Sequence, residues 1–143
     1  MEEDMPEWHE RYRIGVESID AAHQEIFSII NRLRKTLRMS GNVQWTAAET
    51  VKYLRSYTIK HFMDEEAYMQ SIGFKDYEGH KVIHDGMRDT ILPKLCSYLE
   101  ASKYSEESVE QFCILCEKWL NKHILGHDRE IGRYVLSEEE EEE

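Results

Sequence analysis

Cysteine, proline and glycine are scarce in this 143-residue chain, with 3, 2 and 7 copies respectively. Three cysteines are an odd number and too few for a disulfide framework, so free thiols and a reducing compartment are expected. So little proline and glycine leaves few of the turns that a many-stranded sheet needs, which argues against an all-β fold. No apolar run is long enough to cross a bilayer, and the acidic start Met1-Glu2-Glu3-Asp4 lacks the basic residues of a secretory signal. A cytoplasmic protein without membrane insertion is expected. Basic charge is short as well: 18 Lys and Arg stand against 29 Asp and Glu, a formal net charge of -11. Such a surface repels phosphate backbones and acidic headgroups, so nucleic acid is not an expected partner.

What is present suffices for one core. Hydrophobic residues make up 41% of the chain and aromatics 10%, and the length suits a single domain. Breaks at Met39-Ser40-Gly41-Asn42, around Gly73 and at Ala101-Ser102-Lys103-Tyr104-Ser105 separate four segments of helical periodicity. The first is expected from about Ile19 to Met39, with Ser18 or Asp20 as N-cap and a stripe of Ile19, Ala22, Ile26, Ile30, Leu33 and Leu37. The second is expected to open on the capping box Thr46-Ala47-Ala48-Glu49 and end near Gly73, burying Val51, Leu54, Thr58, His61, Glu65 and Met69. The third follows Asp76 with Tyr77, His80, His84, Met87, Ile91 and Leu95 inward, and Pro93 is predicted to distort it. The fourth starts after Ser105 and carries Val109, Phe112, Cys116, Leu120 and His123, with Gly126 placed to interrupt it. Four long segments on short loops pack most economically as an all-α, up-down-up-down antiparallel four-helix bundle. Residues 1–18 hold Pro6, Trp8, Tyr12 and Ile14, too apolar for a free tail, and are expected to lie on the bundle as an extended N-terminal arm. The domain is thus expected to span residues 1–137, with the six glutamates of 138–143 a disordered tail. The Cys113-x-x-Cys116 pair lies within an apolar helical stretch, away from any helix N-terminus that would stabilise a thiolate, and reads as structural.

Each of the four stripes carries histidine on the face that ought to be dry. One histidine on an apolar face is ordinarily a hydrogen-bonded core residue; four helices sharing the feature form a constellation. His23 follows Ile19 by one turn, His61 and Glu65 are four apart, His80 and His84 are four apart, and His123 follows Leu120 by three. Neither kind of pair is specific alone, but their registration with the apolar stripe is. Burying five imidazoles and a carboxylate uncompensated would overburden a marginally stable domain, and a metal centre removes that cost. The donors exceed the four of a structural zinc site, which points to two ions bridged by carboxylates. Magnesium and calcium prefer all-oxygen ligands, whereas iron, manganese, zinc and copper all suit this set. A second bridge can come from Asp128, five residues after His123, only if the helix changes course, which Gly126 permits; His127, four residues on, shares the face of a straight helix. Geometry leaves the two even, and the need for a second bridging carboxylate favours Asp128.

The combined pattern is His23, His61-x-x-x-Glu65, His80-x-x-x-His84 and His123-x-x-x-x-Asp128. It is framed by Trp8, by Gly15-Val16-x-x-Ile19-Asp20-x-x-His23 and by Glu65-Glu66-x-x-Met69-x-x-x-Gly73-Phe74. Over roughly residues 6–135 this resembles the hemerythrin family, of the bacterial hemerythrin type. The resemblance implies a non-haem centre of two iron ions with a bridging oxo or hydroxo group. One iron would be held by His80, His84 and His123 and the other by His23 and His61, with Glu65 and Asp128 bridging. It implies reversible binding of dioxygen at an open position on the second iron, against a wall of Phe62, Trp119, Leu120 and Ile124 that excludes water and protons. The expected role is storage, transport or delivery of dioxygen to an oxygen-consuming partner protein, without catalysis. An oxygen- or redox-sensing regulatory domain, and a slow peroxide or nitric oxide reductase, are the alternatives from other classes. The Glu-x-x-His pairs of carboxylate-rich di-iron oxidases do not occur in the sequence, which speaks against oxygenation chemistry. His9 and His127 are expected in surface or supporting roles.

Overall fold

In the computed structural model residues 8–39 and 43–142 are described; Pro6 and the Ser40-Gly41-Asn42 break lie outside them. The three- and four-residue spacings become four rods. The first is α1, Glu17–Lys35, tightening into a 3-10 turn at Thr36–Arg38. The second is α2, Val43–Ser71. The third is α3, Tyr77–Gly86, continued through a π-turn at Met87–Ile91 into α4, Leu92–Ala101. The fourth is α5, Glu106–His123, continued through a second π-turn at Ile124–Asp128 into α6, Arg129–Glu142. No helix among the described residues is long and apolar enough to cross a membrane.

The first rod packs on the second and fourth, the second on the third, and the third on the fourth, closing a four-helix bundle. His23 lies early in α1, His61 and Glu65 late in α2, His80 and His84 early in α3, and His123 at the end of α5. For these residues to meet at one level, as they do, successive rods must run in opposite directions.

Local chemistry explains where the elements begin and end, and where they depart from the sequence reading. Helix α1 starts at Glu17 and no side chain caps it. Asp20, expected as a cap, instead accepts hydrogen bonds from the N–H groups of Ile14 (2.8 Å) and Gly15 (3.1 Å), tying the N-terminal arm down. Gly15 takes φ +92°, a conformation that side chains resist. The arm is buried at Tyr12, Ile14 and Val16, and Tyr12 stacks on Phe27 at 5.1 Å. On its far side it touches α6 so closely that a Cβ on Gly132 would overlap the Ile14 carbonyl oxygen. Gly132→Ala is therefore expected to lift the arm and destabilise the protein by about 1–3 kcal/mol, read as a lower melting temperature; an unchanged one would show that the arm contributes nothing.

The capping box does not open α2, which begins three residues earlier at Val43. The extra turn has tertiary anchors, since Gln44 donates to the Lys103 carbonyl (2.9 Å) and Ala47 is buried; packing, more than capping, decides short helix extensions. Gly73, at φ +67°, closes the helix, with the Phe74 N–H donating to the Met69 carbonyl at 2.9 Å. In the third rod Pro93 has no N–H to donate, and the π-turn just before it takes in one extra residue. The buried stripe consequently moves by one, running from Met87 to Leu92, Cys96 and Leu99, while Ile91, expected inside, is 39% exposed and Leu95 only half-buried. At the other end, α6 continues through Glu142, where a disordered acidic tail was expected from residue 138. Glutamate is a good helix former, and extending a helix already anchored by buried Ile131 is cheap.

Candidate metal centre

His23, His61, Glu65, His80, His84, His123 and Asp128 are all buried and converge on one region of the bundle. Asp128 arrives there because of the π-turn. Five-residue bonding widens the helix by one residue, bringing the fifth residue after His123 into line, and the His123 Nε2 lies 3.0 Å from Asp128 Oδ1. His127, the rival on a straight helix, is left half-buried, its ring 5.4 Å from that of His123 and 6.2 Å from that of His80. Gly126 marked the place, but the helix stretches there and does not break.

The donor atoms fall into two groups, each within 4.8 Å: Glu65, His80, His84, His123 and Asp128 in one, His23, His61, Glu65 and Asp128 in the other. Both carboxylates belong to both. Glu65 Oε1 faces the Nε2 atoms of His80 (2.8 Å) and His84 (3.2 Å), and its Oε2 faces His61 (3.2 Å) and His23 (3.9 Å). Asp128 Oδ1 faces His80 (3.0 Å) and His123 (3.0 Å), and its Oδ2 faces His23 (2.9 Å). One oxygen of each carboxylate thus serves each group, the arrangement of a bridge.

The residues fit a metal. Both oxygens of Glu65 and of Asp128, and the Nε2 atoms of His23 and His80, are buried without an aligned hydrogen-bond partner even at these separations. The Nε2 atoms of His84 and His123 point at each other across 3.2 Å. Lone pairs crowded together, cut off from water and unaligned for hydrogen bonding are compensated by a cation among them. Imidazole mixed with carboxylate suits a transition metal and not magnesium or calcium.

The same crowding sets the protonation of the metal-free centre. Burial and Asp128 push the Glu65 carboxyl up, but His61, His80 and His84 outweigh them and bring it down to about 2. Burial likewise opposes ionisation of Asp128, and His123, His23 and His80 hold it well below the usual carboxylate range. Burial disfavours a charged His80, yet Asp128 and Glu65 raise it to about 9; His61 is raised by the same balance. Glu65 therefore adds stability above its ordinary 4.5 that disappears as the pH falls toward about 2. His80 adds stability below its ordinary 6.5 that disappears as the pH rises through about 9. A metal needs neutral imidazole and competes with that proton. Ferrous iron added to metal-free protein at neutral pH is thus expected to release protons and to bind more tightly as the pH rises from 6.5 toward 9. Calorimetry in buffers of differing ionisation enthalpy checks this, and an affinity flat across that range would contradict it.

A cavity of about 30 Å³ lies against His23, His61 and His123. This exceeds the roughly 10–15 Å³ that one water molecule requires, so a diatomic molecule fits. Of the four wall residues expected, Phe62, Trp119 and Leu120 line it, joined by apolar side chains including Ile26, Ile30, Leu54 and Met87. Ile124 does not; it is fully buried within the π-turn. Phe62 stacks on His84 at 4.1 Å and 11°, and Trp119 on His123 at 4.5 Å and 16°.

Residues 14–135 match the family model of the hemerythrin HHE cation binding domain. The chain belongs to the hemerythrin family. A bacteriohemerythrin of Clostridium acetobutylicum is 28% identical over 127 residues, covering 86% of this chain and 95% of that protein. A bacteriohemerythrin of Pseudomonas aeruginosa is 27% identical over 121 residues, covering 85% of this chain and 75% of that one. The myohemerythrin of Theromyzon tessulatum is 28% identical over 122 residues, covering 85% and 87%. A crystal structure of wild-type hemerythrin superposes with a TM-score of 0.69 at 26% identity, covering 83% of this chain and 88% of that one.

Some residues at this hemerythrin centre had little signal in the sequence. Glu66 stands in the framing pattern beside Glu65 with no role assigned by spacing, yet it is buried and its Oε2 sits 2.7 Å from the His84 Nδ1. Thr58 and Cys116, by their spacing ordinary members of helical stripes, reach the cavity wall. The three thiols are free and buried, and burial pushes Cys113 up to about 12 and Cys116 further still, the signature of inert structural cysteines. His9 is exposed and takes no part.

Proposed function

We propose that this hemerythrin reversibly binds dioxygen at a pair of iron ions held by the two donor groups, and stores, transports or delivers it without catalysing a reaction. The observation that carries the reading is an asymmetry. Three imidazoles and both carboxylates make up one group, but only two imidazoles and the same carboxylates make up the other, and the apolar cavity touches both imidazoles of the smaller group, His23 and His61, but only His123 of the larger. The less encumbered position therefore faces a dry space sized for a small molecule. When bound, an iron pair supplies the two electrons that reversible dioxygen binding requires.

The chain's own residues do the rest. Glu65 and Asp128 reach both groups and fix their separation. Phe62 and Trp119, stacked on His84 and His123, hold those rings in place while forming the wall. With Leu120 they keep water and protons from the site, which slows irreversible oxidation. Imidazoles carry less charge than carboxylates and favour the ferrous pair over highly oxidised iron. The same reading places the protein in the cytoplasm, supplying an oxygen-consuming partner. The test is the visible spectrum of the iron-loaded protein in air. A charge-transfer band that bleaches under argon and returns on re-aeration is expected; a band that does not return, or sustained oxygen consumption with reductant, would contradict the reading.

A further inference from the structure

His84 is held differently from the other four imidazoles. Among the described residues it is the one cluster histidine whose Nδ1 lies against a carboxylate, 2.7 Å from Glu66 Oε2, whereas the Nδ1 atoms of His23 and His123 are buried without a partner. The same Glu66 oxygen accepts from Arg88 Nη2 at 2.7 Å, and Arg88 Nη1 donates to Asp85 at 3.1 Å. The Arg88 guanidinium also lies over the Phe62 ring at 5.8 Å, and that ring is the one stacked on His84. A carboxylate, a cation and an aromatic face thus fix a single imidazole, and only the three-imidazole group contains it.

We infer that Glu66 is a positioning residue that lowers the reduction potential of the iron pair at its three-imidazole end, and that Arg88 sets the strength of this effect. The inference rests on the reading that the two groups hold iron. A carboxylate accepting the Nδ1–H fixes the tautomer that turns Nε2 toward the metal and raises the basicity of the ring. Greater donation stabilises ferric over ferrous iron. Arg88 shares the accepting oxygen and draws off part of its negative charge, weakening the pull on the imidazole proton. The two residues therefore act with opposite signs.

Spectroelectrochemistry on the iron-loaded full chain tests this. Glu66→Gln, which keeps the shape and removes the charge, is expected to shift the potential upward; Arg88→Met is expected to shift it downward; Glu66→Asp is expected to recover part of the wild-type value. Merely loosened packing would move both variants the same way or neither, and either result overturns the inference. A second readout needs no iron. The His84 Nδ1–H resonance of metal-free protein should lie far downfield, move upfield in Glu66→Gln and further downfield in Arg88→Met; a resonance that ignores both changes overturns it as well. If Glu66→Gln fails to hold iron, Arg88→Met decides, because it retains the carboxylate, and a potential no lower than wild type counts against the inference. Potentials that shift as stated in a protein that does not release dioxygen would refute the dioxygen reading alone. Reversible dioxygen binding with unmoved potentials would refute this inference alone.

Discussion

Replacing Glu65 with alanine is expected to strip both metal positions at once. Its two oxygens face different histidine pairs, His80 with His84 and His61 with His23, so no single substitution other than one at Asp128 reaches both donor groups. Removing it leaves five imidazoles around one carboxylate, a set with too little negative charge to hold two divalent cations close together. Iron analysis after desalting should show less than one ion per chain, with the charge-transfer band gone. Glu65→Gln, which keeps nearly the same volume, should do the same and so exclude a packing defect. His61→Ala should behave differently, because His61 belongs only to the smaller group; the larger group should keep its ion. Full iron retention in Glu65→Ala would rule out a bridging role.

Phe62→Ala is expected to have the largest effect on the fold and on the lifetime of the bound state. Phe62 is 2% exposed and does two things, stacking on His84 and forming part of the cavity wall. Truncating a buried phenylalanine costs about 3–5 kcal/mol, which lowers the melting temperature by roughly 10–17 °C in a domain of this size. The enlarged cavity admits water to the smaller donor group, so irreversible oxidation in air should accelerate. Stopped anaerobic loading followed by exposure to air measures it. A variant that melts lower but oxidises at the wild-type rate would show that the wall does not protect the site.

The legible parts of this protein were those that follow helical period. His23, His61, Glu65, His80 and His84 could be placed because spacings of three and four hold over straight stretches of helix. Both π-turns broke that arithmetic. One shifted the third rod's stripe from Ile91 to Leu92, with Pro93 as its visible cause. The other decided between Asp128 and His127, which spacing alone left even, and there only Gly126 and the missing carboxylate gave direction. Asp20 looked like a cap and proved to be an anchor for the arm, because the backbone it holds folds back from six residues earlier. Thr46 opens a run with the residue types of a helix start, but the hydrogen bond from Gln44 to Lys103, fifty-nine residues further on, extends α2 beyond it. Glu66 had no periodic signal, since its partner His84 stands on a different helix.

Counting metal in protein loaded with ferrous iron under argon and then desalted bears most directly on the shared carboxylate bridges. Two irons per chain, lost together when either Glu65 or Asp128 is replaced, is the expected result. A single iron per chain, or two irons that survive the loss of one bridge, would contradict it.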